Sequence, residues 1–200
     1  MSSHRIQVHP APDVTIDVTV TGEGRSVVLV HGITESHRTW EPLVSPLVDS
    51  GYQVTSIDLR GHGESSRVPP YGLMTMAGDV GAVLAHRGLD DALLVGHSLG
   101  GAVVSAYAAG GPCRAVINVD QPLLLAGFKD TLGQLERLRK GAPGEFEAAI
   151  AGIFEQMAGP LADEERARVE DLRHADQDVV LGVLDLLFSA SAAVGDAVVD

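Results

Sequence analysis

The chain has 200 residues, 45% of them hydrophobic and 20% charged, which is the composition of one folded globular domain rather than of a disordered segment. Its 14 Lys and Arg residues stand against 27 Asp and Glu residues, and the formal net charge of −13 disfavours nucleic acid or an anionic membrane surface as a partner. The single cysteine, Cys113, excludes an intramolecular disulfide framework and a cysteine-rich zinc module, and we interpret it as a small packed residue.

Strand signals recur through the first 120 residues. Apolar and polar residues alternate with a period of two at 14–20, which predicts a half-buried strand. The continuous apolar run at 27–30 predicts a strand covered on both faces. Further strands are expected near Ile6, at 53–58, at 92–95 and at 115–119.

Helix signals lie between these strands. A helix is predicted at 39–50, with Gly51 as its stop signal, and the small and apolar residues at 98–109 predict a buried helix. An apolar stripe at helical spacing predicts another helix between them. That stripe comprises Met76, Val80, Val83 and Leu84. Strands that alternate with helices in this way predict a mostly parallel sheet with helices on both faces.

From Lys129 onward the pattern changes and no strand is predicted. Charged residues at 163–173 predict a solvated helix, and an apolar stripe on either side of it predicts two more helices. The first stripe comprises Phe146, Ile150, Ile153, Phe154 and Met157, and the second comprises Val179, Val180, Val183, Leu184, Leu187 and Phe188. We interpret both stripes as packing faces, and divide the chain into an α/β core at 1–128 and a helical cap or lid at 129–200.

The strongest functional signal is the segment 96–101, with the sequence GHSLGG, between the predicted strand at 92–95 and the predicted helix at 98–109. A strand-to-helix turn this tight forces a strained backbone at its apex and presents the central serine above the sheet. Ser98 also lies at the start of the predicted helix, whose N–H groups favour negative charge nearby. The alternative is an ordinary glycine-rich loop with Ser98 as the helix N-cap.

A second segment, HGIT at 31–34, directly follows the strand at 27–30. A nucleophilic serine needs N–H donors for the oxyanion of its tetrahedral intermediate. One donor belongs to the residue after the nucleophile, here Leu99, and the other to a loop after an earlier strand. Ile33 is our candidate for the second donor, because Gly32 allows the loop to approach closely.

A third segment, DLRGHGES at 58–65, is interpreted as a structural loop in which Asp58 and Arg60 pair or cap locally. With these three segments the chain resembles the α/β-hydrolase superfamily, in particular its serine esterase, lactonase and cofactor-free haloperoxidase-like branch. The resemblance covers about residues 5–125, and it implies an α/β-hydrolase fold to which 126–200 adds a helical cap.

The resemblance implies a triad of serine, acid and histidine in that chain order. Ser98 matches the nucleophile. Asp120 matches the acid, because some members of the superfamily carry it at the end of this strand, although most carry it one strand later. The alternative for Asp120 is a strand-end residue that caps the following turn. A serine nucleophile argues against the epoxide hydrolases and haloalkane dehalogenases of the superfamily, which use aspartate.

The catalytic histidine of the superfamily follows its last strand, and none of the eight histidines of this chain is predicted there. His97 adjoins the serine, but its side chain should project elsewhere. His31 lies in the oxyanion loop, where a histidine of the superfamily serves structure, and His174 is expected on a solvated helix face. The simplest account is a hydrolase without its C-terminal portion, because the resemblance implies eight strands and about six are predicted.

Such a truncation turns the strand at 115–119 into an exposed edge that carries apolar Val116, Ile117 and Val119. We therefore expect the chain either to self-associate through this edge or to cover it with the helices after Lys129.

Our leading hypothesis is a serine hydrolase whose substrate is a small-molecule carboxylic ester or a related acyl compound. One alternative is a catalytically impaired remnant of the fold that binds a small apolar ligand or a protein partner, and another is a perhydrolase side activity. The sequence contains no metal cluster, nucleotide-binding loop or dinucleotide fingerprint, so no metal and no cofactor is expected. No apolar run reaches the roughly 18 residues of a membrane span, and the first ten residues lack the apolar centre of a signal peptide, which predicts a cytoplasmic protein.

Overall fold

The structure is a computed structural model that describes residues 2–120, 143–174 and 176–184. The strands are β1 (Ser3–Ala11), β2 (Val14–Thr21), β3 (Arg25–Val30), β4 (Tyr52–Ile57), β5 (Leu93–His97) and β6 (Ala115–Val119). The helices are α1 (Glu41–Asp49), preceded by a 3-10 turn at His37–Trp40, α2 (Leu73–Arg87), α3 (Leu99–Ala108), α4 (Pro143–Ala158), α5 (Asp163–Leu172) and α6 (177–184).

The six strands form one sheet in the order β1-β2-β4-β3-β5-β6. β2 pairs antiparallel with both β1 and β4, whereas β4, β3, β5 and β6 follow one another in parallel. The six predicted strands and the mostly parallel sheet are therefore confirmed. Because β3, β5 and β6 are parallel neighbours, their carboxyl ends meet at one edge of the sheet, which is where ligands bind in α/β folds.

β3 is buried on both faces, as its apolar run predicts. Val28 and Val30 lie in the main core with the apolar residues of α2 and α3. Val27 and Leu29 point to the opposite face, where they pack with Trp40 and with α1. The apolar stripe of α2 is fully buried against the sheet, so the helices cover both faces.

The second half is helical where the structure describes it. Phe146 and Ile150 of α4 pack with Val180 of α6 in a separate cluster, which Ile33 also contacts. Val179 and Val183, from the opposite side of α6, join the main core. The predicted packing stripes are thus confirmed at these positions. Leu187 and Phe188 lie outside the described residues, as does the proposed boundary between 128 and 129, and the division into core and cap stays a prediction.

The charged segment forms the predicted solvated helix, since α5 buries no residue. The expectation for His174 was wrong, because α5 ends at Leu172 and His174 lies in the connection to α6 rather than on a helix face. Within the described ranges, no helix combines the length and the apolar character needed to cross a membrane.

Candidate active site

Three strained residues mark the carboxyl ends of three neighbouring strands. In the described ranges, the non-glycine residues with positive φ are Thr34 (66°), Ser98 (47°) and Asp120 (56°). They follow β3, β5 and β6, respectively. Such backbone conformations cost energy and cluster at functional sites. The sheet order therefore brings together the loops that sequence analysis selected separately.

Ser98 occupies the apex of a sharp turn between β5 and α3, with φ 47° and ψ −119°. Its N–H donates to the carbonyl of Val119 at 2.9 Å, which fixes the turn to β6. A Cβ atom at Gly96 would lie 2.2 Å from the carbonyl oxygen of Gly100, and one at Gly100 would lie 2.2 Å from that of Val30. Both glycines are therefore required by close backbone contacts, and the turn is no ordinary loop.

The main-chain N–H groups of the two predicted oxyanion donors are not used within the described structure, and an oxyanion donor must be free in this way. Among the described residues, no acceptor takes the main-chain N–H of Leu99 or of Ile33. Leu99 is the first residue of α3, so its N–H points out of the helix end rather than into the helical ladder. Ser98 itself is half-buried.

Glu35 connects the two loops, and sequence analysis missed it. Its Oε2 accepts a hydrogen bond from the N–H of Gly32 at 2.9 Å and lies 3.2 Å from Nδ1 of His97. The hydrogen bond to Glu35 raises the pKa of His97 against the effect of burial, and the charge of Asp120 adds to the rise. Burial raises the pKa of Glu35, but the hydrogen bond and charge of His97 outweigh it and lower the pKa overall.

This ion pair adjoins the proposed donor Ile33 and the proposed nucleophile Ser98, because Gly32 precedes Ile33 and His97 precedes Ser98 in the chain. Nδ1 of His97 thus contacts Glu35, and among the described residues no hydrogen bond joins His97 to the serine hydroxyl. In the sequence, Glu35 could be noticed only as a charged residue that directly follows the HGIT segment at 31–34.

His31 supports the loop rather than the chemistry. Its ring is fully buried, with Nδ1 2.7 Å from the carbonyl oxygen of Gly32 and Nε2 3.0 Å from the main-chain nitrogen of Leu59. The N–H of Leu59 can only donate, so Nε2 is the acceptor and the proton lies on Nδ1. Burial lowers the pKa of His31, which keeps the ring neutral.

The segment 58–65 is structural, but its pairings differ from those expected. Asp58 does cap locally, since Oδ2 accepts from the N–H of Glu64, yet Oδ1 pairs with the N–H and Nδ1 of His37, at 2.6 and 3.0 Å. Burial raises the pKa of Asp58, but the hydrogen bonds from His37 and from the N–H of Glu64 outweigh burial and lower the pKa to about 2. Arg60 makes a buried bidentate pair with Asp79 of α2, at 2.6 and 2.8 Å.

All eight histidines lie within the described residues, and no hydrogen bond joins any of them to the hydroxyl of Ser98. His174 is exposed, and its contact with the site is through the main chain, where its N–H donates to the carbonyl of Thr34 at 2.7 Å. Asp120 is exposed after β6, and it leaves the sheet next to Ser98 because the register pairs His97 with Val119.

A cavity of about 720 Å³ lies between the loop after β3 and the helices α4 and α5. Thr34 lines it from the core, Ile150 and Ala151 line it from α4, and Arg173 and His174 line it from the connection after α5. This volume falls in the range of small-molecule sites. The hydroxyl of Thr34 is buried without a hydrogen-bond partner, a feature that no local sequence pattern announced.

Comparison with known proteins gives one family. A model described as the alpha/beta hydrolase fold matches residues 25–186. The chain is 35% identical over 125 residues to the non-heme haloperoxidase of Rhodococcus erythropolis, covering 62% of this chain and 44% of that protein. It is 33% identical over 135 residues to epoxide hydrolase B of Mycobacterium tuberculosis, covering 65% of this chain and 37% of that protein.

Solved structures give the same result. The bromoperoxidase from Bacillus anthracis superposes with a TM-score of 0.53 at 34% identity, covering 58% of this chain and 44% of that one. The esterase EaEST from Exiguobacterium antarcticum superposes with a TM-score of 0.52 at 28% identity, covering 57% and 43%. The matched part of this chain thus spans less than half the length of each of these four proteins.

Proposed function

Because the chain belongs to the α/β-hydrolase family, which its match over residues 25–186 shows, we propose that it is a serine hydrolase of small-molecule carboxylic esters or related acyl compounds. The observation that carries this proposal is the strained backbone of Ser98 between a buried strand and a helix. That geometry supports a nucleophile because it holds a hydroxyl at the carboxyl end of the sheet, next to a helix N-terminus.

In the proposed reaction the Oγ atom of Ser98 attacks the carbonyl carbon of the ester. The carbonyl oxygen becomes an oxyanion and accepts hydrogen bonds from the N–H groups of Leu99 and Ile33, which have no acceptor among the described residues. The oxyanion then collapses, the C–O bond to the alkoxy group breaks, and the alcohol leaves with the proton that Oγ lost on attack. Water attacks the carbonyl carbon of the acyl-enzyme, the bond from Oγ to that carbon breaks, and the carboxylic acid is released while Oγ regains a proton. Preorganised donors of this kind stabilise the transition state by about 3–4 kcal/mol each.

The resemblance implies a histidine, oriented by Asp120, as the base. That histidine is not identified in this chain, because none of its eight histidines is hydrogen-bonded to Ser98. We therefore expect slow acylation. A serine hydrolase without a complete triad keeps roughly 10³–10⁴-fold catalysis over water from its oxyanion hole and substrate binding.

Serine at the apex favours acyl transfer over epoxide opening, although epoxide hydrolases are among the similar proteins. The attack of a serine on an ester yields an acyl-enzyme whose oxyanion the two N–H groups can bind. Cytoplasmic location is part of the proposal, because a lone cysteine fits a reducing compartment.

A fluorophosphonate probe tests the proposal directly, since it reacts with activated serines. We expect the chain to be labelled at Ser98, as read by intact mass and peptide mapping, and labelling to disappear in Ser98→Ala. The matched control is Ser105→Ala, about two turns further along α3, where the hydroxyl donates to the carbonyl of Gly101. Label that persists in Ser98→Ala would refute the proposal.

The second candidate is a non-catalytic protein of the same fold that binds a small apolar ligand, and the lack of a histidine on Ser98 favours it. It predicts no labelling at all, together with saturable binding of an apolar fluorescent acyl probe that Ile150→Asp weakens. Labelling of Ser98 by the fluorophosphonate would exclude it.

A further inference from the structure

The loop that carries Ile33 contains a strained turn. The N–H of Glu35 donates to the carbonyl of Gly32 at 3.3 Å, which closes a four-residue turn with Ile33 and Thr34 at its centre. Thr34 has a φ of 66°, and a positive φ at this position of a turn is usually left to glycine or asparagine. With a β-branched side chain such a backbone is an outlier, and it persists only where the surrounding structure holds it in place.

The side chain of Glu35 holds this turn and fixes it to the turn at Ser98. Its Oε2 atom accepts a hydrogen bond from the N–H of Gly32 at 2.9 Å, and the same atom lies 3.2 Å from Nδ1 of His97. Gly32 packs against the pair, because a Cβ atom there would lie 3.0 Å from Nδ1 of His97 and 3.2 Å from Oε2 of Glu35. The side chain of Glu35 is only 14% exposed, and hydrogen bonds are stronger in such surroundings than in water.

We propose that Glu35 is a positioning residue, which holds the N–H of Ile33 in place for the oxyanion by stabilising the strained turn against the turn at Ser98. This inference rests on the proposed function, because the Ile33 N–H serves as a donor only if Ser98 forms an oxyanion. The loop is anchored at one end by β3 and at the other by the 3-10 turn at His37–Trp40. If Thr34 relaxes to a negative φ, the peptide planes between these anchors must therefore rotate, and the Ile33 N–H rotates with them.

The hydrogen bonds of Glu35, rather than its negative charge, perform this role. A carboxylate near an oxyanion would by itself disfavour the charge that develops there, since like charges repel. The amide oxygen of glutamine accepts hydrogen bonds as a carboxylate oxygen does, so Glu35→Gln keeps an acceptor for the N–H of Gly32 and for Nδ1–H of His97. Glu35→Ala keeps neither contact, and the two variants therefore separate a hydrogen-bonding role from a charge role.

The saturation kinetics of fluorophosphonate labelling separate binding of the probe from its reaction with Ser98. Glu35→Ala should lower the maximal labelling rate roughly 10²-fold and leave the half-saturating probe concentration unchanged, whereas Glu35→Gln should retain most of the rate. Glu41→Ala is the matched control, because Glu41 is exposed at the start of α1 and pairs with Arg38. A glutamine variant as slow as the alanine variant, or a loss of probe binding in place of rate, would overturn the inference.

A double-mutant cycle tests the link to the strain at Thr34. Glycine adopts a positive φ without steric cost, so in a Thr34→Gly background the turn should keep its shape without help from Glu35. Glu35→Ala should then slow labelling much less than it does with threonine at position 34. Equal slowing in the two backgrounds would show that the two residues act independently and would refute the inference.

Nuclear magnetic resonance distinguishes a failure of this inference from a failure of the proposed function. In ¹H–¹⁵N spectra, Glu35→Ala should move the amide signals of Ile33 on one loop and of Ser98 on the other, and Glu41→Ala should move neither. A wild-type protein that is not labelled at Ser98 refutes the proposed function, and the amide signals then decide by themselves whether Glu35 holds the two turns together. Unmoved signals in Glu35→Ala would overturn the inference whether or not the wild type is labelled.

Discussion

Replacement of Gly100 by alanine should weaken the fold at the turn that presents Ser98. The new Cβ atom would lie 2.2 Å from the carbonyl oxygen of Val30 and 2.6 Å from that of His31. Real Cβ contacts essentially never fall below 3.0 Å, so α3 must move away from β3 by about 0.8 Å. The obstacle is backbone of a buried central strand, and no side chain can rotate to relieve it.

Overpacking of this kind costs about 1–3 kcal/mol, and about 2–4 °C of melting temperature is lost per kcal/mol in a domain of this size. Gly78→Ala in α2 is the matched control, because nothing lies within 4 Å of a Cβ atom there. Alanine should stabilise that exposed helical position by about 0.5–1 kcal/mol.

Urea denaturation of both variants measures the free energy of unfolding, with thermal melts alongside. Opposite signs for the two Gly→Ala changes are the expected result. If Gly100→Ala is as stable as the wild type, α3 does not lie against β3 as closely as described, and the argument for the turn at Ser98 fails with it. Movement of α3 also shifts the N–H of Leu99, so fluorophosphonate labelling should fall in Gly100→Ala and not in Gly78→Ala.

Two further predictions concern buried charged and titratable groups. Asp79→Ala leaves Arg60 buried without its carboxylate partner, and the free energy of unfolding measured by urea denaturation should fall by about 3–5 kcal/mol. The double variant Arg60→Met, Asp79→Leu removes both charges and should lose less stability. Equal losses in the two proteins would contradict the pairing. Burial lowers the pKa of His62 to about 3, so below pH 6.5 the unfolded chain takes up a proton that the folded chain does not. As the pH drops from 6.5 towards 3, this residue should therefore lower the free energy of unfolding by about 1.4 kcal/mol per pH unit. His62→Asn should make the free energy of unfolding depend less steeply on pH over this range. If the wild type and the variant show the same pH dependence, a neutral, buried His62 is ruled out.

The elements of secondary structure follow from local patterns. Apolar runs and alternating patterns predicted all six strands, and apolar stripes at helical spacing predicted α2, α4 and α6. These patterns are informative because a strand buries every second side chain and a helix buries side chains with a period of 3.6. The turn at Ser98 was recognisable for the same reason, since its glycines and the flanking strand and helix are contiguous in the chain.

The partners of polar side chains were not recognisable. Asp58 and Arg60 were expected to pair with each other or to cap locally. Asp58 does cap the N–H of Glu64, but its other oxygen contacts His37, and Arg60 pairs with Asp79. Glu35 joins two loops that are 62 residues apart at its contact with His97. Such choices depend on which strands become neighbours.

The sequence by itself determined the alternation of strands and helices and the single serine held at a strained turn, because both arise from contacts between residues close in the chain. Only the tertiary structure decided that the loops after β3, β5 and β6 meet and that Glu35 connects two of them. The physical reason is that a parallel sheet sets its strand order through long-range packing and hydrogen bonding, which bring residues far apart in sequence to the same end of the sheet.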